Sequence, residues 1–228
     1  MLLYLCRHAQ TASSAVDAFN GRRELPLTER GRAQAAALGA RLAQVRFAAV
    51  YRSPLGRTAE TAALVAPGSQ ATILPGLVEI DYGAGEGLSP EEARAQDPAR
   101  YEAWVKDPAQ VGPPGGETAA QVALRALAAL EEIRARHEGA ARSGGAAAGA
   151  GAHEAALPVL AVSHKATLRV LGAALTGGPI GAYRTRWSQD ECALNLVELR
   201  SGKEPFLRLW NDTSHLGADP AATTRAGH

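Results

Sequence analysis

A short apolar run near the start of the chain ends abruptly in a cluster of polar side chains. Residues 2–6 (Leu-Leu-Tyr-Leu-Cys) have the length and composition of a buried strand. Arg7, His8 and Thr11 follow at once, so a cation, an imidazole and a hydroxyl lie within one turn. Central strands of parallel sheets have this apolar character, and ligands bind outside the carboxyl ends of such strands. The pattern predicts a parallel α/β sheet with His8 at its functional edge.

The same pattern recurs in the second half of the chain. Residues 157–162 predict another buried strand, which breaks into Ser163, His164 and Lys165. A helix is expected to follow, from about residue 166 to residue 175. A second histidine therefore ends a second strand, and this repetition makes a purely structural role for His8 a poor explanation.

A third candidate strand, residues 47–51, is followed by a helix-start signal. Ser53 is a favourable N-cap and Pro54 suits the first helical position, so we expect a helix from there towards Val65. Arg57 then falls in the first turn of that helix. If the three strands are parallel neighbours, Arg57 lies at the same sheet edge as the two histidines.

These side chains together predict a phosphate site. The edge would collect four groups that bind or attack phosphate, namely Arg7, His8, Arg57 and His164. Two helix N-termini, expected at Ser53 and Ser163, would point free N–H groups at the same place. Because guanidinium groups match the geometry and charge of phosphate, such a site needs no basic run in the sequence.

A neutral histidine in such a site can attack phosphorus. We expect His8 to act as the nucleophile and form a phosphohistidine, a reaction that requires no metal. An ester leaving group also needs a proton, and Glu79 is the best-placed carboxyl; Glu86, Asp81 and Glu117 are the alternatives. The sequence has no short-spaced pair of metal ligands such as His-x-His, so we expect neither a metal site nor a cofactor.

The remaining patterns indicate one domain over residues 1–216. They predict helices at 29–44 and 117–136, a weak strand at 71–74 and a final strand pair at 193–199 and 206–210. Residues 84–116 mix Gly, Pro and short helical pieces, which favours an inserted cap. Residues 139–152 and the tail 217–228 are rich in Gly and Ala and are expected to be flexible. The expected fold is a three-layer α/β/α sandwich with a mostly parallel sheet and an antiparallel edge strand.

Composition excludes several partners. The chain of 228 residues has a formal net charge of only +1, and no Lys/Arg-rich run marks a surface for nucleic acid or an anionic membrane. Cys6 and Cys192 lie in apolar segments, which favours reduced core residues over a disulfide. No secretory or membrane-spanning segment is evident. We therefore expect a soluble, cytoplasmic protein; a homodimer is compatible with the sequence.

Several motifs resemble those of the histidine phosphatase superfamily, in its phosphoglycerate-mutase-like branch. Residues 7–11 (Arg-His-Ala-Gln-Thr) look like its Arg-His-Gly-x-Thr signature. Further resemblances follow in the family's order along the chain, at residues 27–31, 53–62, 79–87, 114–117 and 162–164. Several motifs in register are more specific than any single one.

The resemblance implies a role for each matching residue. It makes His8 the phosphorylated nucleophile and Glu79 the proton donor, and it places the phosphate between Arg7, Arg57 and His164. Further substrate contacts are expected at Thr11, Ser14, Gly21 and Lys165. Three positions depart from the family pattern: Ala9 replaces a glycine, Ser14 replaces a common asparagine, and Lys165 replaces the glycine after the second histidine.

The expected activity is metal-independent hydrolysis of a small phosphorylated metabolite through a phosphohistidine. The loop at residues 79–83 (Glu-Ile-Asp-Tyr-Gly) looks like that of the phosphatase members and lacks the Asn-Glu-Arg-x-Tyr-Gly run of the glycolytic mutases. The residues at 211–216 also resemble a chain ending of phosphatase-like members. A cofactor-dependent phosphoglycerate mutase and a non-catalytic phospho-ligand-binding protein are the alternatives.

Overall fold

A six-stranded sheet forms the centre of the described chain. The structure is a computed structural model that describes residues 1–16, 18–143, 157–200 and 202–217, without the side chains of residues 15 and 138–143. The strands are β1 (Leu2–Arg7), β2 (Ala49–Arg52), β3 (Ala71–Ile73), β4 (Val159–Ser163), β5 (Leu194–Glu198) and β6 (Phe206–Asp212). Their order across the sheet is β3-β2-β4-β1-β5-β6.

The sheet is mostly parallel, as the sequence predicts. Strands β3, β2, β4 and β1 pair in parallel, whereas β5 pairs antiparallel with both β1 and β6. The reversed strand is therefore β5, and β6 at the edge runs in the direction of the parallel strands. A short connection between β5 and β6 explains this arrangement, because strands joined by a hairpin must pair antiparallel.

Helices cover both faces of the sheet, which confirms the three-layer sandwich. The helices are α1 (Ala12–Ala15), α2 (Glu29–Arg41), α3 (Gly56–Val65), α4 (Pro90–Gln96), α5 (Pro98–Lys106), α6 (Ala119–Ser143), α7 (Lys165–Leu175) and α8 (Tyr183–Arg186). Leu5 of β1 packs with Ile133 of α6 and Leu168 of α7. The next residue, Cys6, packs in a second cluster with Leu38 of α2 and Val65 of α3. Successive strand residues point to opposite faces, so one strand anchors both helix layers.

The sequence predicts some of the helix starts correctly and others not. Thr28 caps α2 as expected, since its hydroxyl accepts a hydrogen bond from the backbone N–H of Gly31 at 3.0 Å. The expected helix start at Ser53 and Pro54 is wrong: α3 begins at Gly56, with Leu55 as its N-cap. The Ser53 hydroxyl accepts from the backbone N–H of Leu55 at 3.2 Å, as a local cap would, and it also has a tertiary partner described below.

Part of the predicted flexible loop at 139–152 is helical. Helix α6 continues to Ser143, because alanine and arginine are strong helix formers and no proline or capping glycine ends the helix earlier. The rest of that prediction lies outside the described residues, which resume at residue 157. Of the predicted tail, residues 218–228 also lie outside them.

The 84–116 segment carries α4 and α5 and is anchored by aromatic packing. We refer to residues 84–116 as the cap. The ring of Trp104 lies 5.3 Å from that of Phe19, in the loop after β1, and 5.9 Å from that of Tyr82. Phe19 and Tyr82 stack at 4.7 Å. These contacts hold the cap against the carboxyl edge of the sheet.

The described helices include none that is both long enough and apolar enough to cross a bilayer.

Candidate active site

The carboxyl ends of β1, β2 and β4 bring the predicted side chains to one place. Arg7, the last residue of β1, pairs with Ser163, the last residue of β4. The backbone N–H of His8 then donates to the carbonyl of Ser163 at 2.9 Å. We use the term buried cluster for Arg7, His8, Arg57, Glu79 and His164. All five side chains are at most 7% exposed, although each carries a polar or charged group.

The two histidine rings lie side by side, and their hydrogen bonds define their orientation. Their centroids are 5.1 Å apart. His8 Nδ1 lies 2.7 Å from the carbonyl oxygen of Ala9, so Nδ1 donates and Nε2 keeps its lone pair. Arg57 Nε donates to His164 Nδ1 at 3.3 Å, so the other nitrogen, Nε2, carries the proton and donates to Ser53 Oγ at 2.7 Å. His8 therefore presents a nucleophilic nitrogen, and Arg57, which can only donate, fixes the tautomer of His164, while Ser53 holds the other side of the ring.

Both histidines are held neutral. Burial lowers the pKa of His8 well below its usual value, and the charges of Arg57 and Arg7 lower it further. Burial and the charge of Arg57 likewise lower the pKa of His164. A histidine that stays unprotonated at neutral pH keeps the lone pair that nucleophilic attack requires.

Arg7 has an unused donor inside the cluster. Its Nη1 donates to the carbonyl of Gln189 at 2.7 Å, which fixes the guanidinium plane. Its Nε is buried and has no hydrogen-bond partner among the described residues. Unsatisfied buried donors are rare, and this one belongs to the residue that precedes His8, so it leaves hydrogen-bonding capacity and positive charge unused within the cluster.

Arg57 is completely buried and is held by the loop after β1. Its Nη1 donates to the carbonyl of Arg23 at 2.8 Å, and its Nη2 to the carbonyl of Gly21 at 2.7 Å. Gly21 has a φ of +51°, and a Cβ there would lie 2.0 Å from Glu86 Oε1. This tight, left-handed turn requires glycine. The structure thus places Gly21 behind Arg57, as its support.

Glu79 faces the start of α7. Its Oε1 accepts from the backbone N–H of Thr167 at 3.1 Å, and its Oε2 accepts from that of Ala166 at 3.1 Å. The expected free helix N-terminus at Ser163 is therefore wrong: α7 begins at Lys165, and Glu79 occupies its amides. At α3, the N–H of Gly56 is likewise bound by Glu24, at 3.0 Å. The positive potential of the site comes from the arginines.

A cavity of about 740 Å³ opens between the buried cluster and the cap. Arg7, His8 and Glu79 border it, and so do the predicted contacts Ser14 and Lys165. The other predicted residues do not border it, namely Arg57, His164, Thr11 and Gly21. Thr11 and Gly21 lie behind the site and support it, Thr11 by capping α1 and Gly21 by accepting from Arg57. The alternative acids Glu86, Asp81 and Glu117 are also absent from the cavity wall.

Sequence reasoning missed two arginines of the cavity wall, Arg169 and Arg184. Arg169 lies on α7 and is only 9% exposed. A signal for it exists, because it is the one charged residue between Ala166 and Leu175 in an otherwise apolar helix. Arg184 offers no comparable signal, since α8 is too short to show a pattern.

Within the described ranges, no three His, Cys, Asp or Glu side chains form a group that could hold a metal ion.

Comparison with known proteins agrees with this geometry. Residues 3–213 match the histidine phosphatase superfamily (branch 1). Phosphoserine phosphatase 1 of Hydrogenobacter thermophilus is 30% identical over 219 residues, which cover 94% of each chain. A metal-independent phosphoserine phosphatase of Arabidopsis thaliana is 29% identical over 95% of this chain and 83% of its own length.

A solved structure shares the fold. YhfR of Bacillus stearothermophilus superposes with a TM-score of 0.80 at 30% identity, over 94% of this chain and 98% of that chain. The family match spans nearly the whole described sheet, and the motifs that resemble the family lie within the same residues. The chain belongs to the histidine phosphatase superfamily, and it is a phosphatase.

Proposed function

We propose that this phosphatase is a metal-independent phosphomonoesterase that passes the phosphoryl group through His8. One observation carries the proposal. The buried, neutral ring of His8 is fixed through Nδ1 by the carbonyl of Ala9, so its Nε2 lone pair is free beside the unused donor of Arg7. This combination supports nucleophilic attack on the phosphorus of a bound ester.

In the first step, His8 Nε2 attacks phosphorus opposite the ester oxygen. The N–P bond forms as the P–O bond to the leaving group breaks. Glu79 lies on the cavity wall and, when protonated, gives its proton to the departing alkoxide oxygen. The products are an alcohol and phosphorylated His8.

In the second step, water attacks the phosphohistidine. Glu79, now a carboxylate, accepts a proton from the water while the new O–P bond forms and the N–P bond breaks. Inorganic phosphate leaves, and His8 regains its lone pair. The Thr167 and Ala166 amides hold the Glu79 carboxyl in place for both transfers.

The remaining cluster side chains stabilise charge on the transferring group. Arg7 and Arg57 supply guanidinium charge, and the His164 ring lies next to His8. Because the site is buried, each such interaction is stronger than it would be in water. Ser53 acts through His164 as a positioning residue.

Phosphoserine is the substrate to test first, because two similar proteins carry that substrate in their names. The free thiols of Cys6 and Cys192, both buried, are compatible with the reducing cytoplasm as the working compartment.

The test is phosphate release in the presence of EDTA from nitrophenyl phosphate, phosphoserine and 3-phosphoglycerate. Wild type should release phosphate, and His8→Ala should not. His137→Ala is the matched control, since His137 lies on α6 and bonds the hydroxyl of Tyr51 at 3.1 Å, away from the cavity. The control should keep its activity.

Other outcomes would replace the proposal. Isomerisation of 3-phosphoglycerate that depends on added 2,3-bisphosphoglycerate, without phosphate release, would identify a mutase. Tight binding of phosphomonoesters with neither reaction would identify a non-catalytic binding protein. Activity that EDTA abolishes would refute metal independence.

A further inference from the structure

Arg169 and Arg184 have no carboxylate partner among the described residues, although both border the cavity. We call this pair the outer arginines. By contrast, most of the arginines that form ion pairs lie on the surface, where water screens their charge. A largely buried guanidinium without a counter-ion is costly, so its placement against a cavity points to an anionic ligand.

The guanidinium of Arg184 is held in a fixed plane. Its Cζ lies 4.6 Å from the ring centroid of Trp104, a cation–π contact with the cap. Its Nη1 is buried and has no hydrogen-bond partner in the described part of the chain. Stacking fixes the group on the cavity wall, and one of its nitrogens stays without an acceptor, so the guanidinium is held in place with part of its hydrogen-bonding capacity unused.

Arg169 holds the segment that carries Arg184. Its Nε donates to the carbonyl of Tyr183 at 3.0 Å, and its Nη2 donates to the carbonyl of Arg184. Both bonds go to neutral acceptors, so the charge of Arg169 is not cancelled. Burial lowers the pKa of Arg169, and the charges of Arg184 and Arg7 lower it further, so these cations lie within electrostatic reach of one another.

The acids of the cavity wall do not balance this charge. Glu79 is bound to the amides at the start of α7, and Glu102 pairs with Arg94 at 2.6 Å. Glu91 is the one further carboxylate that borders the cavity. Positive charge therefore extends from Arg7 beside the nucleophile to Arg184 beneath the cap.

We propose that the outer arginines form a second anion subsite, which binds a carboxylate on the leaving-group side of the substrate. This proposal rests on the function proposed above and deepens it. The substrate class is then a small phosphorylated hydroxy acid or amino acid. Its phosphate occupies the buried cluster, and its carboxylate accepts hydrogen bonds from Arg184.

A carboxylate fits this subsite better than a second phosphate. A planar carboxylate accepts two parallel N–H bonds from one guanidinium, and its single charge matches the single charge of Arg184. A second phosphate would bring up to two negative charges into a wall that also contains Glu91 and Glu102.

The test compares substrates that differ only at the carboxylate position, which holds hydrogen in phosphoethanolamine and a hydroxymethyl group in glycerol 3-phosphate. Phosphoserine is paired with phosphoethanolamine, and 3-phosphoglycerate with glycerol 3-phosphate. In Arg184→Gln, kcat/KM should fall about 10- to 100-fold for the carboxylated member, the range for losing a hydrogen bond to a charged group. The value for the other member should stay near wild type.

Two controls separate recognition from folding. Arg186→Gln changes an exposed arginine of the same helix that does not border the cavity, and it should leave all four substrates unaffected. Inhibition of Arg184→Gln by inorganic phosphate should equal that of wild type, since the buried cluster is intact.

The proposal is overturned if Arg184→Gln slows both members of a pair equally, or slows neither. It is also overturned if wild type prefers a bisphosphate to both carboxylated substrates. In each of these cases His8-dependent release from nitrophenyl phosphate persists, so the proposed function survives. Absence of that release would remove the function itself.

Discussion

The two sides of the cavity are built differently. On the sheet side, the buried cluster is almost closed to solvent, and Arg57 and His164 are fully buried. On the cap side, Val105 is 46% exposed and α4 has no buried residue. The sheet side is fixed by backbone carbonyls and helix amides that bond buried side chains, whereas the cap is held by the aromatic contacts of Trp104 and by backbone hydrogen bonds such as that from Gly87 to Phe19 at 2.7 Å.

This difference separates the groups that carry out the reaction from the groups that select the substrate. Groups that must meet phosphorus within a fraction of an ångström need neighbours that cannot move, and a buried sheet edge provides them. Contacts to the rest of the substrate tolerate adjustment, so an exposed cap can vary without damage to the reaction. Changes on the sheet side should therefore affect turnover, and changes on the cap side should affect substrate affinity.

The largest effect after loss of His8 is expected for Glu79→Gln. The amide oxygen can still accept from the N–H of Thr167, although the amide nitrogen that replaces Oε2 cannot accept from Ala166, and the side chain can no longer donate or remove the proton of the reaction. Turnover of an alkyl phosphate should fall about 100- to 10,000-fold, whereas nitrophenyl phosphate, whose leaving group needs little protonation, should be much less affected. Steady-state kinetics with both esters measures this.

Glu86→Gln is the control, because Glu86 is an alternative acid that does not border the cavity. It should leave both rates near wild type. Equal losses for both esters in Glu79→Gln would contradict the acid role.

Ser53→Ala should lower the free energy of unfolding by about 1–3 kcal/mol, because it leaves the buried Nε2–H of His164 without an acceptor. The His164 ring then keeps only its hydrogen bond from Arg57 and is less well positioned, so turnover should fall as well. Urea denaturation and steady-state kinetics measure the two effects. Ser69→Ala, at an exposed serine, should change neither. Unchanged stability in Ser53→Ala would show that this hydrogen bond does not support the cluster.

Stability should fall as the pH drops below about 6.5, the ordinary histidine pKa. Burial lowers the pKa values of His8 and His164 in the folded chain, so between the lowered values and 6.5 the unfolded state binds more protons. Unfolding free energy therefore rises with pH in that window. Denaturation at several pH values should show this slope, and His8→Asn should make it shallower. A slope that His8→Asn leaves unchanged would argue against a neutral buried His8.

The smallest effect is expected on the cap. Val105→Ala removes apolar contact from the cavity wall, so KM should rise about two- to fivefold with kcat unchanged. Leu124→Ala, at a leucine of α6 that is 75% exposed, should change neither constant. A fall in kcat for Val105→Ala would break the division between the two sides of the cavity.

The sequence predicted the sheet side well because its geometry is local. A buried apolar strand places the residue after it at the sheet edge, and β1 and β4 both do so, with His8 and His164. Arg57 also lies in the first turn of α3, as expected.

The rest of the site depends on tertiary contacts, which no local sequence pattern predicts. The Ser53 hydroxyl bonds His164 across 111 positions of chain, and Glu79 binds the start of α7 across more than 80. The contact of Glu79 explains why the amides at the start of α7 are not free. Arg184 comes to the cavity because α8 lies against Trp104 of the cap, so sequence reasoning could not place this arginine.

The central claim is that His8 carries the phosphoryl group. The most direct measurement is rapid quenching of the wild-type enzyme with a radiolabelled phosphomonoester in EDTA, followed by peptide mapping. The expected label is stable in alkali, labile in acid and located on His8, and it is missing from His8→Gln. A label on another residue, or full turnover by His8→Gln, would contradict it.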